Sequence, residues 1–95
     1  MIDCKNERLL PDVWTAVECA SACYLYCVKA DQPGVSFKMK KNSGDTAYFT
    51  VEPTERPDGV IEKAKITVTM NDPLSGTLFY LQATSAPVDV EIFLA

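Results

Sequence analysis

Histidine is absent from the chain of 95 residues. That removes Ser/His/Asp and Cys/His nucleophilic sites, the commonest general base and every imidazole metal ligand. No apolar run approaches the ~20 residues that a bilayer-spanning helix needs, so no membrane partner is expected. The residues after Met1, Ile2-Asp3-Cys4-Lys5-Asn6-Glu7-Arg8, are polar and charged rather than apolar. No signal peptide is therefore expected, and the protein is expected to stay inside the cell or to leave it by lysis. Basic residues are outnumbered, 9 Lys and Arg against 13 Asp and Glu, for a net charge of −4. Nucleic-acid binders carry a basic face that releases counterions from phosphates, so nucleic acid is not an expected partner. The one basic cluster is Lys38, Lys40 and Lys41. Lys38 and Lys40 share a strand face, which reads as solvated. The 4 glycines lie scattered in turns and build no phosphate-binding loop.

What is present is a period of two. Val35, Phe37 and Met39 alternate with Ser36, Lys38 and Lys40, and Ala47, Phe49 and Val51 with Thr46, Tyr48 and Thr50. Ala64, Ile66, Val68 and Met70 alternate with Lys63, Lys65, Thr67 and Thr69. Val88, Val90, Ile92 and Leu94 alternate with Asp89, Glu91 and Phe93. Such alternation buries one face of a strand and wets the other. Turn chemistry separates the runs: Gln32-Pro33-Gly34, Asn42-Ser43-Gly44-Asp45, the loop at residues 53–59, Asn71-Asp72-Pro73 with Ser75-Gly76, and Ser85-Ala86-Pro87. Residues 77–83 and 88–94 read as a hairpin. A chain of this length with 47% hydrophobic residues supports one domain over residues 1–95 with one modest core.

Residues 13–30 admit two readings. As a helix they place Val13, Val17, Ala20, Tyr24 and Val28 on one face, with Asp12 as N-cap. As strands, residues 13–19 and 23–29 flank a turn at Ala20-Ser21-Ala22, and the Val, Trp, Thr, Tyr and Cys content favours this reading. The expected fold is all-β, a small antiparallel β-sandwich or jelly-roll-like barrel of about seven strands. The alternative is α+β with one N-terminal helix over 13–30.

Candidate sites are few. Under the strand reading, a turn centred on Ser21 sets Cys19 opposite Cys23, and one centred on Cys23 sets Cys19 opposite Cys27. Either spacing suits a disulfide in an oxidising milieu. In a reducing compartment Cys19, Cys23 and Cys27 are expected to pack as small apolar groups. Their Cys-x3-Cys-x3-Cys pattern is not the knuckle of a zinc site. Glu52, Glu55 and Asp58 lack the spacing of a calcium loop and read as a solubilising segment. Paired-carboxylate hydrolysis needs a deep cleft. The expectation is therefore no catalytic residue, metal or cofactor. Trp14, Tyr48, Tyr80 and Phe93 are the candidate interface residues, as aromatics expected outside the core, or at its edge, that can anchor a binding surface.

Two stretches carry a resemblance. Leu10-Pro11-Asp12-Val13-Trp14-Thr15-Ala16-Val17 looks like the opening of many short phage virion proteins. The segment from Gly76-Thr77-Leu78-Phe79-Tyr80-Leu81-Gln82-Ala83 through Ser85-Ala86-Pro87 to Val88-Asp89-Val90-Glu91-Ile92 looks like their ending. Together they cover about a quarter of the chain. The chain thus resembles the small β-sandwich or jelly-roll-like phage structural proteins: capsid decoration (cement) proteins, head fibres and tail attachments. The resemblance implies a non-catalytic virion protein, assembled in the host cytoplasm, that binds and stabilises or decorates a capsid. Its implied partners are the major capsid protein or another virion protein, and copies of itself, commonly as a trimer. Two alternatives stand beside it: a carbohydrate- or receptor-binding module of a phage fibre, and a small phage-encoded inhibitor of a host protein.

Overall fold

The computed structural model describes residues 3–95, and all of its regular structure is antiparallel β. The strands are β1 (Asp3–Leu9), β2 (Thr15–Pro33), β3 (Phe37–Lys40), β4 (Phe49–Val51), β5 (Lys63–Ala83) and β6 (Val88–Leu94). They form one hydrogen-bonded sheet in the order β1-β6-β2-β5-β3-β4. Its outer strands β1 and β4 do not pair with each other, so the barrel is not closed.

Length shows how one sheet makes two layers. At about 3.3 Å per residue a straight 21-residue β5 would run about 70 Å. The longest extent of the molecule is 39 Å. β2 and β5 therefore bend together, where their register slips around Cys19–Leu25 and Thr69–Gly76. On one side of the bend β6 joins the later part of β2, Tyr26 to Leu94 through Ala30 to Val90, and β1 lines up outside it. On the other side β3 joins the end of β5, Phe37 to Ala83 through Lys40 to Tyr80, and carries β4. The two layers meet where the Tyr26 ring stacks on Phe79, centroids 4.6 Å apart and planes tilted by 35°.

The alternation does what a half-buried strand requires. Val88, Val90, Ile92 and Leu94 all face the core, as do Val17, Val28, Ala30, Phe37, Met39, Phe79, Leu81 and Ala83. Ala64 is buried, Ile66 and Met70 pack against the core at its margin, and the intervening lysines and threonines of β5 are exposed.

Several expectations are corrected. The sandwich has six strands among the described residues, not seven. Residues 13–30 form neither a helix nor a hairpin, because β2 runs through them as one strand. The turn foreseen at Ala20-Ser21-Ala22 is a bulge, which bends the strand without reversing it. Likewise Asn71-Asp72-Pro73 and Ser75-Gly76 sit inside β5 and bend it rather than end it. Residues 77–83 and 88–94 do not pair as a hairpin: β5 pairs with β2 and β3, and β6 with β1 and β2. The connection at Ser85-Ala86-Pro87 instead carries the chain from one layer to the other. Phe49, foreseen on a buried face, is 48% exposed. β1 was not foreseen, since its only buried side chain is Leu9.

Candidate functional site: an aromatic–lysine face

The sheet brings three of the four candidate aromatics to one surface. Lys38 and Lys40 of β3 lie opposite Gln82 and Tyr80 of β5, and Tyr80 lies opposite Ala16 of β2. These residues alternate with the buried Phe37, Met39 and Leu81, so they form the outer face of their layer. Trp14 immediately precedes β2, and Tyr48 immediately precedes β4.

The side chains interleave as a ladder. The Lys38 ammonium sits 4.7 Å above the Tyr48 ring. Tyr48 lies 6.0 Å from Trp14, with the planes inclined at 56°. The Lys40 ammonium is 4.4 Å from the Trp14 centroid and 6.0 Å from that of Tyr80. Each lysine–ring distance lies within the ~6 Å over which a ring quadrupole attracts a cation.

Lys40 is the organising residue. Only 9% exposed, it donates to the carbonyls of Ser43 (3.0 Å) and Asp45 (3.4 Å). The loop after β3 is thereby folded over its side chain. That loop is pinned independently: the Asn42 N–H donates to the Asp45 carboxylate (3.1 Å), and the Asp45 N–H donates to the Asn42 carbonyl (3.1 Å). Alternation alone assigned Lys38 and Lys40 to solvent. It could not register a ring from before β2 packing against Lys40. Tyr48 stays 51% exposed and Trp14 is half-buried, so the ladder presents aromatic surface outward.

Phe93 is placed elsewhere. It lies opposite Cys4 on β1 and Cys27 on β2, on the outer face of the other layer. In the loop after β4, Asp58 is bound by Arg56 (3.0 Å) and accepts the Val60 N–H (3.1 Å), as befits a structured surface turn. No group of three His, Cys, Asp or Glu poised to hold a metal ion occurs among the described residues.

Concavities lie both beside this face and away from it. An apolar cleft of about 350 Å³ is lined by Tyr26, Phe49, Met70 and Leu74, together with Lys40 and Lys41. A second, of about 430 Å³, lies between the β2 bulge and the end of β6, against Cys19 and Cys23. There burial pushes the Cys23 thiol up, and the neighbouring Cys19 thiol adds in the same direction. Burial also raises the Tyr26 phenol.

No family model, curated protein or solved structure matches the chain. The surface itself therefore carries the functional argument.

Proposed function

We propose that this domain is a non-catalytic structural protein of a phage particle, binding and stabilising or decorating the assembled capsid through its aromatic–lysine face. The observation that carries the docking surface is the convergence of Trp14, Tyr48 and Tyr80 with Lys38 on one outer sheet face. Trp and Tyr supply large, rigid contact area and dominate the energetics of protein interfaces. The lysines give this face a positive character on a chain of net charge −4, which suits an acidic patch on the capsid lattice. The virion assignment is supported by the resemblance of residues 10–17 and 76–92 to phage structural proteins.

The sugar-binding reading is less well supported. A sugar stacks on an open, flat ring face. Here Lys38 covers one face of Tyr48, Lys40 lies over Trp14, and the two rings are inclined to each other.

Co-sedimentation of the purified protein with capsids lacking it tests the proposal. The wild type and a Phe93→Ala variant should bind alike, and Tyr48→Ala should lose at least tenfold in affinity. Equal binding by Tyr48→Ala would remove this face as the docking surface. Absence of the chain from purified particles, measured by quantitative mass spectrometry, would remove the virion reading altogether.

A further inference from the structure

Cys19 and Cys23 are four positions apart on β2, yet they stand opposite Gly76 and Leu74, only two positions apart on β5. Ala20, Ser21 and Ala22 face Ser75 alone, so β2 carries two surplus residues there and the three loop out as an exposed bulge. A two-residue step along a strand spans about 6.4–6.8 Å. That is the upper end of the ~4.4–6.8 Å between Cα atoms over which a disulfide forms. Residues separated by such a step point to the same face, and both thiols do point inward, with Cys19 6% and Cys23 2% exposed. Cys19 Sγ donates to the Ser21 carbonyl inside the bulge. The bulge thus makes neighbours of two cysteines that a regular strand would hold about 13 Å apart.

The pair also has an approach. The concavity of about 430 Å³ between the bulge, Asp3, Leu94 and Ala95 is lined by both cysteines. Cys4 and Cys27 are not rivals, since they flank Phe93 on the outer face of the other layer.

We infer that Cys19 and Cys23 form a dithiol site that a low-molecular-weight disulfide, such as oxidised glutathione, converts to an intramolecular disulfide. The thiolate of one cysteine attacks a sulfur of the oxidant, forms a mixed disulfide and expels one thiolate. The second cysteine thiolate then attacks the protein-bound sulfur of that mixed disulfide, forms the Cys19–Cys23 bond and expels the other thiolate. The two protons lost by the cysteines end on the two released thiols. The oxidant takes up two electrons and the protein loses two. The bond staples the bulge at the point where β2 bends between the layers. This site does not depend on the capsid reading: it needs only the bulge and an oxidant.

The test is incubation of the reduced, folded 95-residue chain with excess oxidised glutathione, followed by alkylation under denaturing conditions and intact-mass and peptide analysis. The expected product is two hydrogens lighter, carries two fewer alkyl groups, and yields a peptide linking Cys19 to Cys23. A C4S/C27S variant, checked by circular dichroism for unchanged β content, should give the same loss. Retention of all alkylatable thiols, a persistent glutathione adduct without the internal bond, or a link that includes Cys4 or Cys27 would each overturn the inference.

Discussion

The contact that closes the sandwich can be measured in isolation. Tyr26 belongs to the β2 segment paired with β6, and Phe79 to the β5 segment near β3, yet their rings lie 4.6 Å apart. Replacing each ring by Leu keeps the site apolar and removes the stacking. Phe79 is buried and close-packed, so Phe79→Leu should cost about 1–1.5 kcal/mol. Tyr26→Leu should cost about 1 kcal/mol on the same basis. Aromatic pairs contribute about 0.5–1.5 kcal/mol beyond the area they bury. The double variant should therefore be less destabilised than the sum of the two singles by about 1 kcal/mol. A domain of this size has roughly 5–14 kcal/mol in total, so all three variants remain folded and measurable. Urea unfolding followed by far-UV circular dichroism, with constant m-values, supplies the four stabilities. Additivity within about 0.3 kcal/mol is what independent sites show. That result would mean the rings do not meet and would refute a sheet folded on itself at the β2–β5 bend.

Three further outcomes follow from named side chains. Leu9→Ala, which empties the only core position of β1, should cost about 2–5 kcal/mol, whereas Arg8→Ala, which breaks the exposed pair with Asp89 (3.1 Å), should cost under about 1 kcal/mol. Thermal melts of the two variants would rank them, and a reversed order would contradict the placement of β1. Gly76 adopts φ +82° beside the bulge, and nothing lies within 4 Å of where a Cβ would stand, so Gly76→Ala should cost about 1–2 kcal/mol from backbone strain alone. An unchanged denaturation midpoint would show that the bend does not need this conformation. Burial raises the pKa of Cys23 above its ordinary 9.0 and that of Tyr26 above its ordinary 10.0, so the folded state holds their protons more tightly than the unfolded state. Their contribution is complete below pH 9 and is lost as pH rises through the raised folded values. Under reducing conditions the urea midpoint should fall as pH rises above 9, and Cys23→Ala should make that fall shallower. A midpoint that rose over this range would contradict the burial of both groups.

The strands that alternate were legible because alternation is a local property. Val88 through Leu94 and Ala64 through Met70 carry their inward and outward faces in the order of their residues, and the structure keeps both. The absence of histidine likewise closed off chemistries without any knowledge of shape. Where strands end is not local in the same sense. Proline, glycine and asparagine at residues 71–76 lower the cost of a turn, but they also lower the cost of a bulge. The choice was made by β2, which supplies pairing partners on both sides of the irregularity. The same holds at Ala20-Ser21-Ala22, where the chain bulges because the flanking residues Cys19 and Cys23 both find partners on β5.

Which aromatics stand together could only be decided in three dimensions. Trp14, Tyr48 and Tyr80 come from parts of the chain more than 30 residues apart, and they meet because β3 docks on the end of β5 and places its lysines between their rings. Phe93 has the same outward-facing pattern as Tyr48 but lies in the other layer, because residues 85–87 carry β6 across to β2. By itself the sequence determined an antiparallel β domain with alternating faces, since side-chain direction in a strand follows residue parity. The two-layer bend, the lysine–aromatic ladder and the Cys19–Cys23 neighbourhood depended on register between distant segments, and register is set by the partner strand.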